Sequence, residues 1–278
     1  KSGKTSFVQR LYNILWSENG KVVPFYFDIG DNKVWYPDFA EEYFCAFASQ
    51  YISFVERKPE YISTPLTMDS IREYGENKGI SFLVQSIDSM REKKKDEYYS
   101  SMWKLAASAP HRFASVSHRR FLVILDEFQN ITAYIYPDKN MKEAPIDTLA
   151  GSYHSLAESK VAPMLVTGSY VGWLIDIMDK YLEAGRLSRF FMTPYLTPEA
   201  GLEAVFKYAD AYHKAITNET ALLLNTLCFS DPFFISCIFQ SQVRGRDLTT
   251  DEGVVATVNY EISHRQSEMS MTWREYID

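Results

Sequence analysis

Apolar residues recur with two different periods along this chain, and the alternation between them sets its expected architecture. Positions 7, 8, 11, 14 and 15 are apolar (Phe7, Val8, Leu11, Ile14, Leu15), which is helical spacing over 5–16. Val22 to Phe27 is a short β-type run ending at Asp28 and Gly30, and Pro24 within it predicts an early-strand position, away from the middle of a ladder. From Pro37 to about Glu56 the helical period returns through Phe39, Tyr43, Phe44, Phe47, Tyr51, Ile52 and Val55. Residues 57–75 carry proline- and threonine-rich breaks and read as loop or short helix, and 80–107 reads as helix again.

Phe121 to Leu125 is apolar at every position, as a parallel strand covered on both faces must be. It ends in Asp126-Glu127. A helix is expected from Leu149 to Ser159, then a second buried strand, Ala162 to Val166, ending in Thr167-Gly168-Ser169. Strands alternating with helices imply an α/β sheet with right-handed crossovers. After Pro194 the pattern is helical only, which places a boundary near 194–198 and divides the chain into 1–195 and 196–278.

At 278 residues and 46% hydrophobic, the chain is long enough for a sizeable core. No apolar stretch is long enough to span a membrane, so no membrane association is expected. Cys45, Cys228 and Cys237 form no CxxC pair, which fits reduced thiols and a cytoplasmic location. A net charge of −7 weighs against general nucleic-acid coating while leaving room for a local basic patch. The mixed run Arg91–Glu97 reads as a solvated helix face, and His118-Arg119-Arg120 as a strand entry held by solvent. The five histidines have no metal-ligand spacing, and Gly168-Ser169-Tyr170-Val171-Gly172 is not a nucleophile elbow.

The chemistry rests on two segments. Lys1-Ser2-Gly3-Lys4-Thr5-Ser6 matches the second half of G-x-x-x-x-G-K-[ST], with the first glycine expected upstream of residue 1. Backbone N–H groups at 2–6 would wrap phosphates, and the following helix would aim its N-terminus at them. Lys4 would neutralise the β- and γ-phosphates, Thr5 and Asp126 would hold Mg²⁺, and Glu127 would polarise the attacking water. The bland alternative is that the Ser-Gly-Lys-Thr run is a chance turn. Thr167 and Ser169 compete as γ-phosphate sensor, or merely start the next turn. Arg186 and Arg189 are candidates to reach developing phosphate charge, or are surface arginines, and either one could instead be Glu127's structural partner.

These segments carry a resemblance. The runs SGKTSFVQRL, FLVILDEFQNI, MLVTGSYVGWL and AGRLSRFFMTPYLTPEA look like those of the archaeal-type ATPases, an AAA+-like, signal-transducing P-loop group also found in bacteria. The resemblance implies a parallel P-loop core followed by a helical lid, with ATP or ADP and Mg²⁺ as ligands. SDPFFISCIF at 230–239 resembles a lid segment in which Pro232 would touch the adenine, with Ser230 where the family usually has glycine. Family members often continue into a winged helix and an effector domain. The function expected is ATP hydrolysis used as a switch or small motor. A slow nucleotide-gated interaction module for a protein partner and a DNA-associated helper ATPase are the rivals.

Overall fold

The computed structural model describes residues 3–182, 186–190, 192–243 and 245–277. The chain falls into two compact units, one of Thr5–Arg189 and another containing Phe190–Asp278; the boundary expected from sequence is 195/196.

The first unit is α/β. Its central sheet has three parallel strands, β1 (Val22–Asp28), β3 (Arg120–Asp126) and β5 (Met164–Val166), in the order β1-β3-β5. A two-residue parallel pair, β2 (Val34–Trp35) with β4 (Ile135–Tyr136), lies apart from it. Alternate residues of the central strands serve two cores. Phe25, Phe27, Phe121, Val123 and Leu125 enter the main core with α2 (Tyr36–Glu56) and α6 (Tyr99–Ala107), whereas Ile124, Leu122 and Tyr26 pack with Val8 and Tyr12 of α1 (Lys4–Glu18). Helices therefore cover both faces, which explains the unbroken apolar run of β3.

α2 packs against β1 and α6 and is buried continuously over its second half, Ala46 to Phe54, while Asp38 and Glu42 stay exposed. Tyr43 is edge-on to Phe25, Phe27 and Trp103, with centroids 5.2, 5.0 and 5.3 Å away. Such pairs contribute about 0.5–1.5 kcal/mol each beyond area burial. Gln50 of the same helix closes the outer edge of β1. Tyr26 N–H donates to Gln50 Oε1 (2.9 Å), and Gln50 Nε2 donates to Tyr26 O (2.8 Å). Even-numbered residues of β1 thus turn their backbone groups away from β3. Pro24 is the third residue of β1, early in the strand as expected, though paired opposite Leu122; it is tolerated because its missing N–H lies on the side that no neighbouring strand uses.

The corrections concern the crossover segments. The helix expected over 80–107 is two, α5 (Ser81–Lys95) and α6, parted at Glu97 with φ of 61°. Residues 57–75 are loop and short helix as expected, with α3 (Glu60–Ser63) and most of α4 (Met68–Lys78), and α7 (Ala109–Ser117) precedes β3. The helix expected at 149–159 is a pair of short 3₁₀ turns, Leu149–Tyr153 and Leu156–Glu158. The charged run at the end of α5 stays largely exposed, as expected of a solvated face, and within it Lys94 bonds Asp38 and Glu41 at 3.0 and 3.1 Å and Arg91 bonds Asp69. After β5 comes α8 (Val171–Tyr181).

Every regular element among the described residues of the second unit is a helix: α9 (Pro198–Ala211), α10 (Asn218–Leu227), α11 (Pro232–Gln240), α12 (Asp251–Ser263) and α13 (Glu268–Ile277). Thr197, Thr217, Asp231 and Thr250 each cap a helix by accepting a backbone N–H. Val205, Leu224, Ile235, Ile238, Phe239 and Val254 form its core. Among the described residues no helix is long and apolar enough to cross a membrane.

Candidate functional site

The carboxyl ends of the three central strands converge on a compact polar network. β3 delivers Asp126, which is 2% exposed. Its Oδ1 accepts the Thr167 hydroxyl and the Glu127 N–H (3.1 Å), and its Oδ2 accepts the Tyr26 hydroxyl at 3.1 Å. Three donors on a buried carboxylate offset much of its desolvation.

Glu127 follows with a left-handed backbone, φ 50°. That conformation costs a non-glycine residue on the order of 1–3 kcal/mol and persists only where the surroundings enforce it. Here they do. Asp126 O accepts Ile29 N–H (3.0 Å), Phe128 N–H donates to Thr167 O (2.9 Å), and Asn130 Nδ2 donates to Ile29 O (2.8 Å). The turn after β3 is thereby tied to the ends of both neighbouring strands. It aims the Glu127 carboxylate at β5: Oε2 accepts Gln129 Nε2 (2.6 Å) and Ser169 N–H (3.1 Å), and Oε1 accepts the Ser169 hydroxyl (2.5 Å).

Thr167 and Ser169 therefore do not compete for one position, because each hydroxyl serves a different carboxylate. Gly168 between them is close against Gln129, and a Cβ there would land on Gln129 Oε1. Tyr26 and Gln129 belong to the network and were not singled out from the sequence. The available signal was a polar group in an apolar strand and a polar residue two positions after the Asp-Glu pair; Gln129 is 1% exposed.

Negative charge is concentrated at this end. Asp28 stands opposite Asp126 in strand register. Partial burial, then Asp126, Glu127 and Asp31, hold its carboxyl above the ordinary range. A cation would relieve that repulsion. Among the described residues no group of three His, Cys, Asp or Glu forms a ready-made metal-ligand set. The donors present are oxygens with few protein ligands, which suits Mg²⁺ retaining waters and sharing phosphate oxygens better than a fully protein-caged ion.

The phosphate-loop residues stand as follows. Ser2 lies outside the described residues. Gly3 has φ of 70° and leads directly into α1, which opens at Lys4 and carries exposed Thr5 and Ser6 in its first turn. Among the described residues Thr5 makes no hydrogen bond to Asp126. Arg186 pairs with Glu158 at 3.3 Å and Arg189 with Asp179, while the Glu127 carboxylate is held by Ser169 and Gln129. Pro232 opens α11 in the second unit, where Asp231 Oδ1 accepts Phe233 N–H at 2.8 Å.

Compared with known protein families, curated proteins and solved structures, the chain has no match.

Proposed function

We propose that the chain is a P-loop ATPase, with an AAA+-like core and a helical lid, that binds ATP with Mg²⁺ and hydrolyses it as a conformational switch or small motor. One observation carries the reading. The central parallel strand ends in Asp126-Glu127, and the adjacent strand end places one hydroxyl on each carboxylate. The carboxyl edge of a parallel sheet is where such folds bind ligands.

Each residue then has a role. Gly3, Lys4 and Ser6, with Ser2, cradle the phosphates at the start of α1, where backbone N–H groups and the helix dipole favour anions. Thr5 and Asp126 would hold Mg²⁺, which would bring its charge to the phosphates; the Asp126 oxygens already carry three donors. Glu127 Oε1 accepts a single hydrogen bond within the network and keeps a lone pair for water. That water attacks the γ-phosphorus, its proton passes to Glu127, and the bond to the β–γ bridging oxygen breaks. Ser169 and Gln129 position Glu127, and Thr167 and Tyr26 position Asp126. Arg186 contributes at the transition state only by leaving Glu158. Pro232 packs on the adenine.

A slow, nucleotide-gated interaction module is the second reading. Three hydrogen bonds already on Glu127 favour it, because a carboxylate engaged by Ser169 and Gln129 has fewer lone pairs left to orient an attacking water. The test is a Mg²⁺ titration of ATP turnover with Asp126→Asn. We expect the variant to need at least about tenfold more Mg²⁺. An unchanged titration would assign the metal to another carboxylate.

A further inference from the structure

The opposite end of the same sheet is strongly basic in a chain whose net charge is −7. Arg120 N–H donates to Lys21 O (3.3 Å), and the Arg120 guanidinium donates to Lys160 O (2.7 Å). The three exposed residues thus stand side by side across the strand entries, at a spacing of about 4.8 Å between strands. Arg57 lies 3.7 Å over the Trp16 ring, and Arg57 and Arg119 both approach Phe54, at 5.7 and 5.9 Å. Lys58 extends the row beside Tyr61, 3.3 Å from its hydroxyl.

Helix ends offset only part of this positive charge. α1, α2 and α7 finish here, and each C-terminus contributes about half a negative charge. Glu18 and Glu60 add one each, while Glu56 is held by Lys78 at 2.9 Å. Set against six cations, that leaves an excess of roughly +2 to +3. Among the described residues none of the six forms an ion pair. Beside the cations are two exposed valines, Val116 and Val161 (56% and 37% exposed), and Val161 O accepts Phe121 N–H at the β3 entry. The two aromatic rings in the row already carry cations: Arg57 lies over Trp16 and Lys58 stands 5.4 Å over Tyr61.

We propose that this edge is the docking surface for an acidic segment of a protein partner, one that interleaves carboxylates with apolar side chains. The cations meet the carboxylates and the valines receive the apolar groups. A long nucleic acid suits the surface less well. Among the described residues of this edge, both aromatic rings are already engaged by cations, and the acidic remainder of the chain repels an extended polyanion, whereas a short segment feels chiefly charges within about 8 Å.

The test is fluorescence anisotropy with three labelled probes of equal net charge: a peptide alternating Glu and Leu, an all-Glu peptide, and single-stranded DNA. The Glu-Leu peptide should bind tightest, more weakly as salt rises. Its affinity should fall at least about tenfold in Lys21→Glu/Lys160→Glu, whose side chains make no internal hydrogen bond. The neutral pair Lys21→Gln/Lys160→Gln should lie between, and it keeps the test valid if charge reversal impairs folding. The proposal is overturned by an absence of binding, by equal affinity of wild type and variants, or by DNA binding more tightly than the peptide. Equal binding of the two peptides would overturn the role of the valines.

Discussion

Glu127→Gln separates chemistry from architecture at the candidate site. Glutamine keeps the shape of glutamate and replaces one oxygen with an NH₂ group. At the Oε2 position that group would face two donors, Gln129 Nε2 and Ser169 N–H. At the Oε1 position it meets only the Ser169 hydroxyl, which can rotate from donor to acceptor. The variant therefore retains the network with the NH₂ toward Ser169. Its three hydrogen bonds become neutral, each losing about 1 kcal/mol, and the removal of one charge beside Asp28 and Asp126 offsets part of that. Stability should shift by no more than about 1–2 kcal/mol. Turnover should fall about 10²–10⁴-fold, equivalent to about 2.7–5.5 kcal/mol of barrier, with ATP affinity within a few-fold. Single-turnover hydrolysis beside a thermal melt reads both quantities. Hydrolysis at the wild-type rate would remove Glu127 from the mechanism and favour the slow switch. A large loss of stability with little loss of rate would make Glu127 a structural residue.

Two further outcomes follow from the same network. Gly168→Ala drives its Cβ onto Gln129 Oε1, so Gln129 must leave Glu127 and turnover should drop at least about tenfold with a lowered Tm; a variant equal to wild type in both would show that the Gln129–Glu127 bond has no role. Asp28 has a raised pKa in the folded chain. The folded state therefore binds its proton more tightly than the unfolded one, and stability contributed by that proton is lost as pH rises from the ordinary aspartate range through the raised value. Asp28→Asn should be the more stable protein above that window and show a flatter acid limb in pH-dependent melts, and identical pH profiles would contradict the shift.

Much of the core was legible because its segments are governed by local rules. The apolar run of β3 and the long amphipathic stretch of α2 each read directly, since burial on both faces or on one wide face dictates composition. Other parts depended on partners distant in sequence. Pro24 is admitted inside β1 because its missing N–H faces the side that carries no strand, where Gln50 takes the Tyr26 backbone groups instead. The segment 149–159 has helical composition in part, but Gly151 and the serines weaken it. Ser152 accepts a hydrogen bond from Trp103 Nε1 (2.9 Å) and donates to Leu149 O (2.7 Å), which favours short turns. At the site, Asp126, Glu127, Thr167 and Ser169 could be named from strand ends. Which hydroxyl serves which carboxylate depends on the turn at Glu127. The parts of Tyr26 and Gln129 needed the strand order. The pairing of Arg186 with Glu158 and of Arg189 with Asp179 had no local signature.

The central claim is that Lys4 and the start of α1 hold the phosphates of ATP. Calorimetric titration of Mg²⁺-ATP into wild type and Lys4→Ala, on protein carrying the loop residues expected before Lys1, tests it most directly. The account predicts saturable binding that weakens at least about tenfold, or ~1.4 kcal/mol, in the variant. Equal affinity in the two proteins, or no binding to either, would contradict it.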